Sequence, residues 1–318
     1  MRIFALVALI AAAILHLVSP FGSLAAARSI DPALATTLLV ELRLPRTLLA
    51  LGFGATLGIT GAALQALFAN PLASPDITGS SSGAAMGAVF ASYWLGLTNP
   101  ILLALAGSLG AGLALVILLA LAGRRTDKVT LLLAGLAVSL AAGAATSLLL
   151  ALAPSPFAFY DSFEWLMGSF TDRSLAQAAA ALVPAAIACT WLLRRARALD
   201  LMAMGDDVLA SLGHRPRRLG IEIICLSAIA VGACVSVCGA IGFVGLIAPV
   251  VARRLTRGHP GRALVPAGMI GGMLVLLADL GLRSIPLDHA IPVGVVTTLI
   301  GTPFFIAILL SMRRKMAS

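Results

Sequence analysis

Few residues in this 318-residue chain have side chains that could do chemistry. Its four cysteines, Cys189, Cys225, Cys234 and Cys238, all fall inside apolar segments and show no CxxC spacing. Cys234 and Cys238 are one helical turn apart, a spacing that can supply two metal ligands, but no histidine or carboxylate is near them in sequence. They read as small buried hydrophobes. The four histidines, His16, His214, His259 and His289, are scattered, and no HExxH stretch accompanies them. A GxxxxGK[ST] stretch is also missing, so the sequence shows no phosphate-cradling loop of that kind. No catalytic residue, metal site or cofactor is expected.

What remains is a set of isolated polar groups in apolar surroundings. Gln65 lies inside an apolar span, where an unpaired amide is costly; it either bonds a neighbouring helix or lines a pathway. Glu222 and Asp279 lie in or near spans, where acids can form a proton relay. Structural pairing is the expectation: Glu222 with Arg215, Arg217 or Arg218, and Asp279 with Arg283 one turn on. Arg173 stands alone after Asp172, which could be its partner.

The elements that carry these groups are membrane helices. Hydrophobic residues make up 60% of the chain and charged ones 11%, and the mean hydropathy is +1.05. Aromatics are 5% and no alternating ten-residue segments recur, which disfavours a transmembrane barrel and leaves an all-α fold. Cuts at charges, prolines and polar clusters give ten apolar spans, near 3–20, 46–68, 80–96, 99–122, 129–152, 175–193, 219–238, 243–252, 262–283 and 291–311. The span 243–252 is too short to cross a bilayer, and 157–172 is broken by polar residues; both are expected to be partial or re-entrant helices. Ile3 to Val18 behind Arg2 has the look of a signal peptide, with Ala25, Ala26 and Ala27 as small residues for cleavage. With so many later spans, the first is expected to be retained.

With the N-terminus inside, 17 of the 22 basic residues fall on the cytoplasmic side. Arg28, Arg43, Arg46, Arg173 and Arg283 are the exceptions, so the positive-inside rule puts both termini in the cytoplasm of a multi-pass protein. The net charge of +9 is therefore a topology signal, and no nucleic-acid role is expected. Gly54-Ala55, Gly61-Ala62 and Pro71 recur as Gly232-Ala233, Gly239-Ala240 and Pro249, 178 residues on. In this topology the repeat is inverted, as in many transporters.

Longer motifs carry a resemblance. Arg43-Leu44-Pro45-Arg46-Thr47-Leu48, then Gly61 through Pro75 (GAALQALFANPLASP), resembles the second helix and first inner loop of the bacterial ABC permeases, the FecCD-like type II importers, that carry iron siderophores, haem and cobalamin. Leu131-Leu132-Leu133-Ala134-Gly135, Trp165 to Ser169, Gly239 to Pro249, and Pro292 through Phe305 agree with it. The resemblance implies one permease domain over 1–318, working as a homodimer in the bacterial inner membrane. Its implied partners are two cytoplasmic ATPase subunits, a periplasmic binding protein and membrane lipid. The cargo it implies is a large iron-bearing chelate, haem first, with a ferric siderophore or cobalamin as alternatives. An ion-gradient carrier or a membrane enzyme is the rival class.

The resemblance also implies residue roles. Residues 199–218 match the coupling helices, hinged at Gly205 and Gly213, with Met202, Met204 and Leu212 as anchors and Asp206 beside the hinge. Asn70 and Leu72 match the inner gate, although Asn70-Pro71 is also a plain helix stop. Lys128 and Val129 replace the family's small hydroxyl residues, so gate roles do not carry over to them. Arg43 and Arg283 match arginines that dock the binding protein; interfacial snorkelling is the other reading. Gln65 and Arg173 are substrate-pathway candidates. Arg173 would meet a haem carboxylate in two-pronged geometry from each half of the dimer.

Overall fold

The computed structural model describes residues 2–123, 128–153, 155–284 and 291–317. Arg124, Arg125 and His289 lie outside them, and the side chains of Arg2, Asp161, Arg313, Arg314 and Lys315 are likewise not described. All regular structure among the described residues is helical: α1 (Arg2–Val18), α2 (Phe21–Ile30), α3 (Pro32–Thr37), α4 (Leu44–Leu67), α5 (Ser80–Trp94), α6 (Pro100–Ala122), α7 (Lys128–Ala151), α8 (Pro156–Leu166), α9 (Leu175–Arg194), α10 (Ala196–Met202), α11 (Asp206–Ser211), α12 (Pro216–Cys238), α13 (Val244–Leu255), α14 (Pro260–Ser284) and α15 (Val293–Ala317). Each of the ten apolar spans coincides with one helix.

Among the described residues six helical stretches are long and apolar enough to cross a membrane alone, and a seventh is reached if α1 and α2, bent by 49°, count as one span. One of the six runs unbroken from Pro32 to Leu67, longer than hydropathy suggests. Pro45 lacks an N–H, and the chain answers with a π-helical turn at Leu38–Arg43 instead of a break. The short span 243–252 is α13, 12 residues long, entered through Phe243 at φ 63. The broken segment 157–172 contributes α8.

The centre of the bundle is α4, buried along most of its length against α9, α12, α13 and α14. Lipid offers no hydrophobic drive between helices, so close packing has to supply it. A Cβ on Gly54 would overlap the Gly271 carbonyl oxygen, and one on Gly271 would overlap that of Gly54, so α4 and α14 meet backbone to backbone. By contrast α6 and α7 turn leucines such as Leu109 and Leu140 outward. Gly54 and Gly232, the first pair of the repeat, both lie inside helices at close contacts; Gly61 is mid-helix, whereas Gly239 ends α12 at φ 74.

Candidate functional site

Three glycines from distant parts of the chain build one corner. The Ser169 amide donates to the Cys238 carbonyl at 2.8 Å, and the Ala240 amide to that of Leu166 at 3.3 Å, so the end of α8 lies on the end of α12. Gly168, Gly239 and Gly294 stand where these backbones and the start of α15 touch, and a Cβ at any of them would strike a carbonyl oxygen. Gly168 at φ 84 also makes the turn. Trp165 Nε1 donates to the Val237 carbonyl at 3.3 Å and fixes the indole on the same corner.

Cavities open around this corner. One, of about 540 Å³, is lined by Glu164, Thr171, Asp172, Arg173 and Pro292. A second, of about 220 Å³, runs inward past Arg173 to Gln177 and Ser236. A third, of about 710 Å³, is lined by Met167, Gly242, Thr298, Pro303 and Asp76, the single acidic residue on its wall. Ser81 Oγ donates to Asp76 Oδ1 at 3.2 Å. Sequence reasoning passed over Asp76, because it sits in an inner loop with no span to mark it as unusual.

Arg173 lines the first two cavities, and its Nε is buried without a hydrogen-bond partner. Among the described residues it forms no ion pair with Asp172, whose backbone at φ 55 is followed directly by Arg173. Gln65, the other pathway candidate, lines none of these three cavities. It is fully buried, and its Nε2 donates to the Leu246 carbonyl at 3.1 Å, which joins α4 to α13, while its Oε1 has no hydrogen-bond partner among the described residues. Asn70 holds a local turn: its Oδ1 accepts from the Leu72 amide at 2.9 Å while Ala69 takes φ 48. Asn70 and Leu72 are both half-buried at the end of α4.

The two docking candidates face inward in this conformation. Arg43 is 6% exposed and donates to the carbonyls of Val18 at 2.7 Å and Pro20 at 3.0 Å and to Ser23 Oγ at 2.8 Å. Arg283 donates to the carbonyls of His16 and Ser19. Both therefore satisfy the open carbonyls at the end of α1. The expected Asp279–Arg283 pair is also corrected. Asp279 takes two bonds from Arg46, Nε to Oδ2 and Nη2 to Oδ1, each 2.8 Å, and a third from His16 Nε2 at 2.8 Å. His16 Nδ1 is 2.8 Å from Thr47 Oγ1. The acid turns toward α4 because α14 packs there, while residue 283 lies a turn farther along, level with the end of α1. Glu222 pairs with Arg195 at 2.8 Å and accepts from Trp191, since α9 and α12 are neighbours; the basic residues that start α12 are not its partners.

At the opposite end, α10 and α11 form two short helices separated at Gly205, φ 111, and followed by Gly213, φ 82. Met204 is 67% exposed and Leu212 57%. Met202 is only 4% exposed and packs inside with Leu199 and Leu209, so it holds the loop to its own fold and is corrected as a free anchor. Asp206 reaches Lys128 Nζ at 2.9 Å, which ties the hinge to the start of α7.

Comparison with known proteins places this arrangement. The family model of the FecCD transport family matches residues 3–311. The chain is 34% identical to the Fe(3+)-citrate import system permease protein YfmE of Bacillus subtilis, over 86% of this chain and 82% of the relative. It is 35% identical to the hemin transport system permease protein HmuU of Yersinia pestis, over 87% and 84%, and to the vitamin B12 import system permease protein BtuC of Vibrio cholerae, over 84% and 80%. A solved structure of a metal-chelate type ABC transporter in an inward-facing conformation superposes with a TM-score of 0.85 at 29% identity, covering 97% of this chain and 98% of that one.

Proposed function

The chain belongs to the FecCD transport family, the permeases of ABC importers for iron chelates, haem or vitamin B12, and from that premise we propose that its own cargo is haem. Relatives of nearly equal identity carry names for citrate, hemin and vitamin B12, so similarity does not choose among them. The observation that carries the choice is Arg173: a guanidinium between two cavities, with no acid paired to it among the described residues. Such a group suits a planar carboxylate. In a homodimer two copies would meet the two carboxylates of haem.

In this reading the chain works with two ATPase subunits on the Arg-rich face and a binding protein on the other, both termini being cytoplasmic in the bacterial inner membrane. Met204, Gly205, Asp206, Leu212 and Gly213 would meet the ATPase, whose closure moves the helices as rigid bodies. Asn70 and Leu72 would form part of the inner gate. Arg43 and Arg283 would dock the binding protein by exchanging the carbonyls of the α1 corner for its acids.

The test is uptake by proteoliposomes holding the permease, its ATPase and its binding protein, with haem, a ferric siderophore and cobalamin compared. Haem is expected to be taken up fastest. Arg173→Ala should slow haem uptake while ATP hydrolysis and assembly persist, and Arg173→Lys should keep part of the rate because charge survives without the fork. Preferred uptake of a siderophore or cobalamin, or an unchanged haem rate in Arg173→Ala, would overturn the assignment.

A further inference from the structure

At the Arg-rich end, away from the cavities and beside the coupling helices, a groove of about 390 Å³ lies between α1, the end of α13 and the start of α14. One wall is cationic or titratable: Arg257, His259 and Arg262. The other is apolar and runs down the spans: Ala5 on α1 faces Pro266, Met269 and Ile270 on α14. We propose that this groove binds an anionic phospholipid, its phosphate on Arg257 and Arg262 and an acyl chain along Pro266, Met269 and Ile270.

The backbone builds the cationic wall. Between α13 and α14 the Gly258 amide donates to the Arg253 carbonyl at 2.9 Å and the His259 amide to that of Thr256 at 3.2 Å. Thr256 Oγ1 donates to the Ala252 carbonyl at 3.0 Å. This tight turn holds Arg257 at φ 54, a left-handed conformation that an arginine adopts only at a cost, and the result is a guanidinium kept at the groove.

The charge on this wall is uncompensated. No acid lines the groove, and among the described residues none of the ion pairs involves Arg257, His259 or Arg262. Asp200, which approaches the start of α14, is engaged by the Gly261 amide at 2.8 Å. A phosphate supplies the missing negative charge, and basic pockets between helices on this side of a membrane suit lipid headgroups. The apolar wall argues for lipid over a soluble partner. On the same two helices Phe4, Leu6 and Val265 are exposed, a surface that acyl chains cover, whereas a cytoplasmic protein would meet the loops alone. A bound lipid would brace α1 against α14.

The purified full chain, washed in detergent, should retain phosphatidylglycerol in preference to phosphatidylcholine when adducts are counted by native mass spectrometry. Arg257→Gln and Arg262→Gln should each lower that occupancy about fivefold. The corresponding lysine variants should keep most of it. Met269→Trp should expel the lipid with every charge in place, and inorganic phosphate should not displace it, since a chain as well as a headgroup is held. Arg254→Gln, exposed and outside the groove, should change nothing. Unchanged retention in the double glutamine variant would overturn the proposal. So would equal loss in Arg254→Gln, which would mean diffuse attraction only, or full displacement by inorganic phosphate, which would mean a free-anion site. If the double variant releases the ATPase and keeps its lipid, the groove is a protein contact and the proposal fails.

Discussion

Arg46 grips Asp279 with both prongs of its guanidinium, each bond 2.8 Å long, across the contact between α4 and α14. The acid is fully buried and the arginine largely so. Asp279→Ala would strand that cation, and removing one partner of a buried pair costs about 3–5 kcal/mol. Arg46→Met with Asp279→Leu should lose less, because Arg46 is no longer stranded, while His16 Nε2 loses its acceptor in both variants. Denaturant unfolding of the three proteins in mixed micelles checks the order, which fails if the single variant is as stable as the double.

The contact of Gly54 with Gly271 makes a second case. Gly271→Ala puts a methyl group on the opposing carbonyl oxygen, and overpacking of this kind costs about 1–3 kcal/mol. The expected signs are a lower unfolding midpoint and reduced yield of folded permease. Gly281→Ala, on the same helix with open space at its Cβ, should be harmless by the same measurements.

Exposure separates two methionines in the coupling loop. Met204→Asp and Leu212→Asp should weaken binding of the ATPase and leave the unfolding midpoint of the permease unchanged. Met202→Ala should do the reverse, losing about 2–5 kcal/mol of stability through the cavity it opens. Pull-down with the ATPase and thermal unfolding, run on all three variants, distinguish the roles; equal loss of binding with equal stability would refute them.

For Arg43 and Arg283 the prediction couples docking to the α1 corner. Arg283→Glu should impair binding-protein affinity and also loosen the end of α1, read as faster amide exchange at Val18 to Ser23, because its carbonyl partners are abandoned. Loss of affinity with unchanged exchange would show that this arginine docks without holding the corner. Faster exchange with normal affinity would show that it holds the corner and does not dock.

The ten spans were legible because hydropathy needs only local composition, and the helix break at Gly205 because glycine next to helix-capping acids marks one. The coupling, docking and gate roles proposed here rest on motif resemblance. Which polar groups meet was not legible. Asp279 has a cation four residues ahead in sequence, and spacing alone selects Arg283; the partner it takes is set by the face of α14 that packs on α4. Glu222 failed for the same reason, since Arg195 belongs to a neighbouring helix. Arg43 reads as outward-facing from its place at a membrane boundary, and only the bend between α1 and α2 shows that carbonyls wait for it.

The bond between His16 and Asp279 joins residues 263 apart. A ribosome adding 5–20 residues per second needs on the order of tens of seconds to cover that interval. During that time α1 has already left the translation machinery while its imidazole is without its carboxylate, so a helix made well before α14 is finished only after it. Closure of the bundle is thereby a late event in biogenesis: until α14 is made, the imidazole on α1 has no carboxylate to meet.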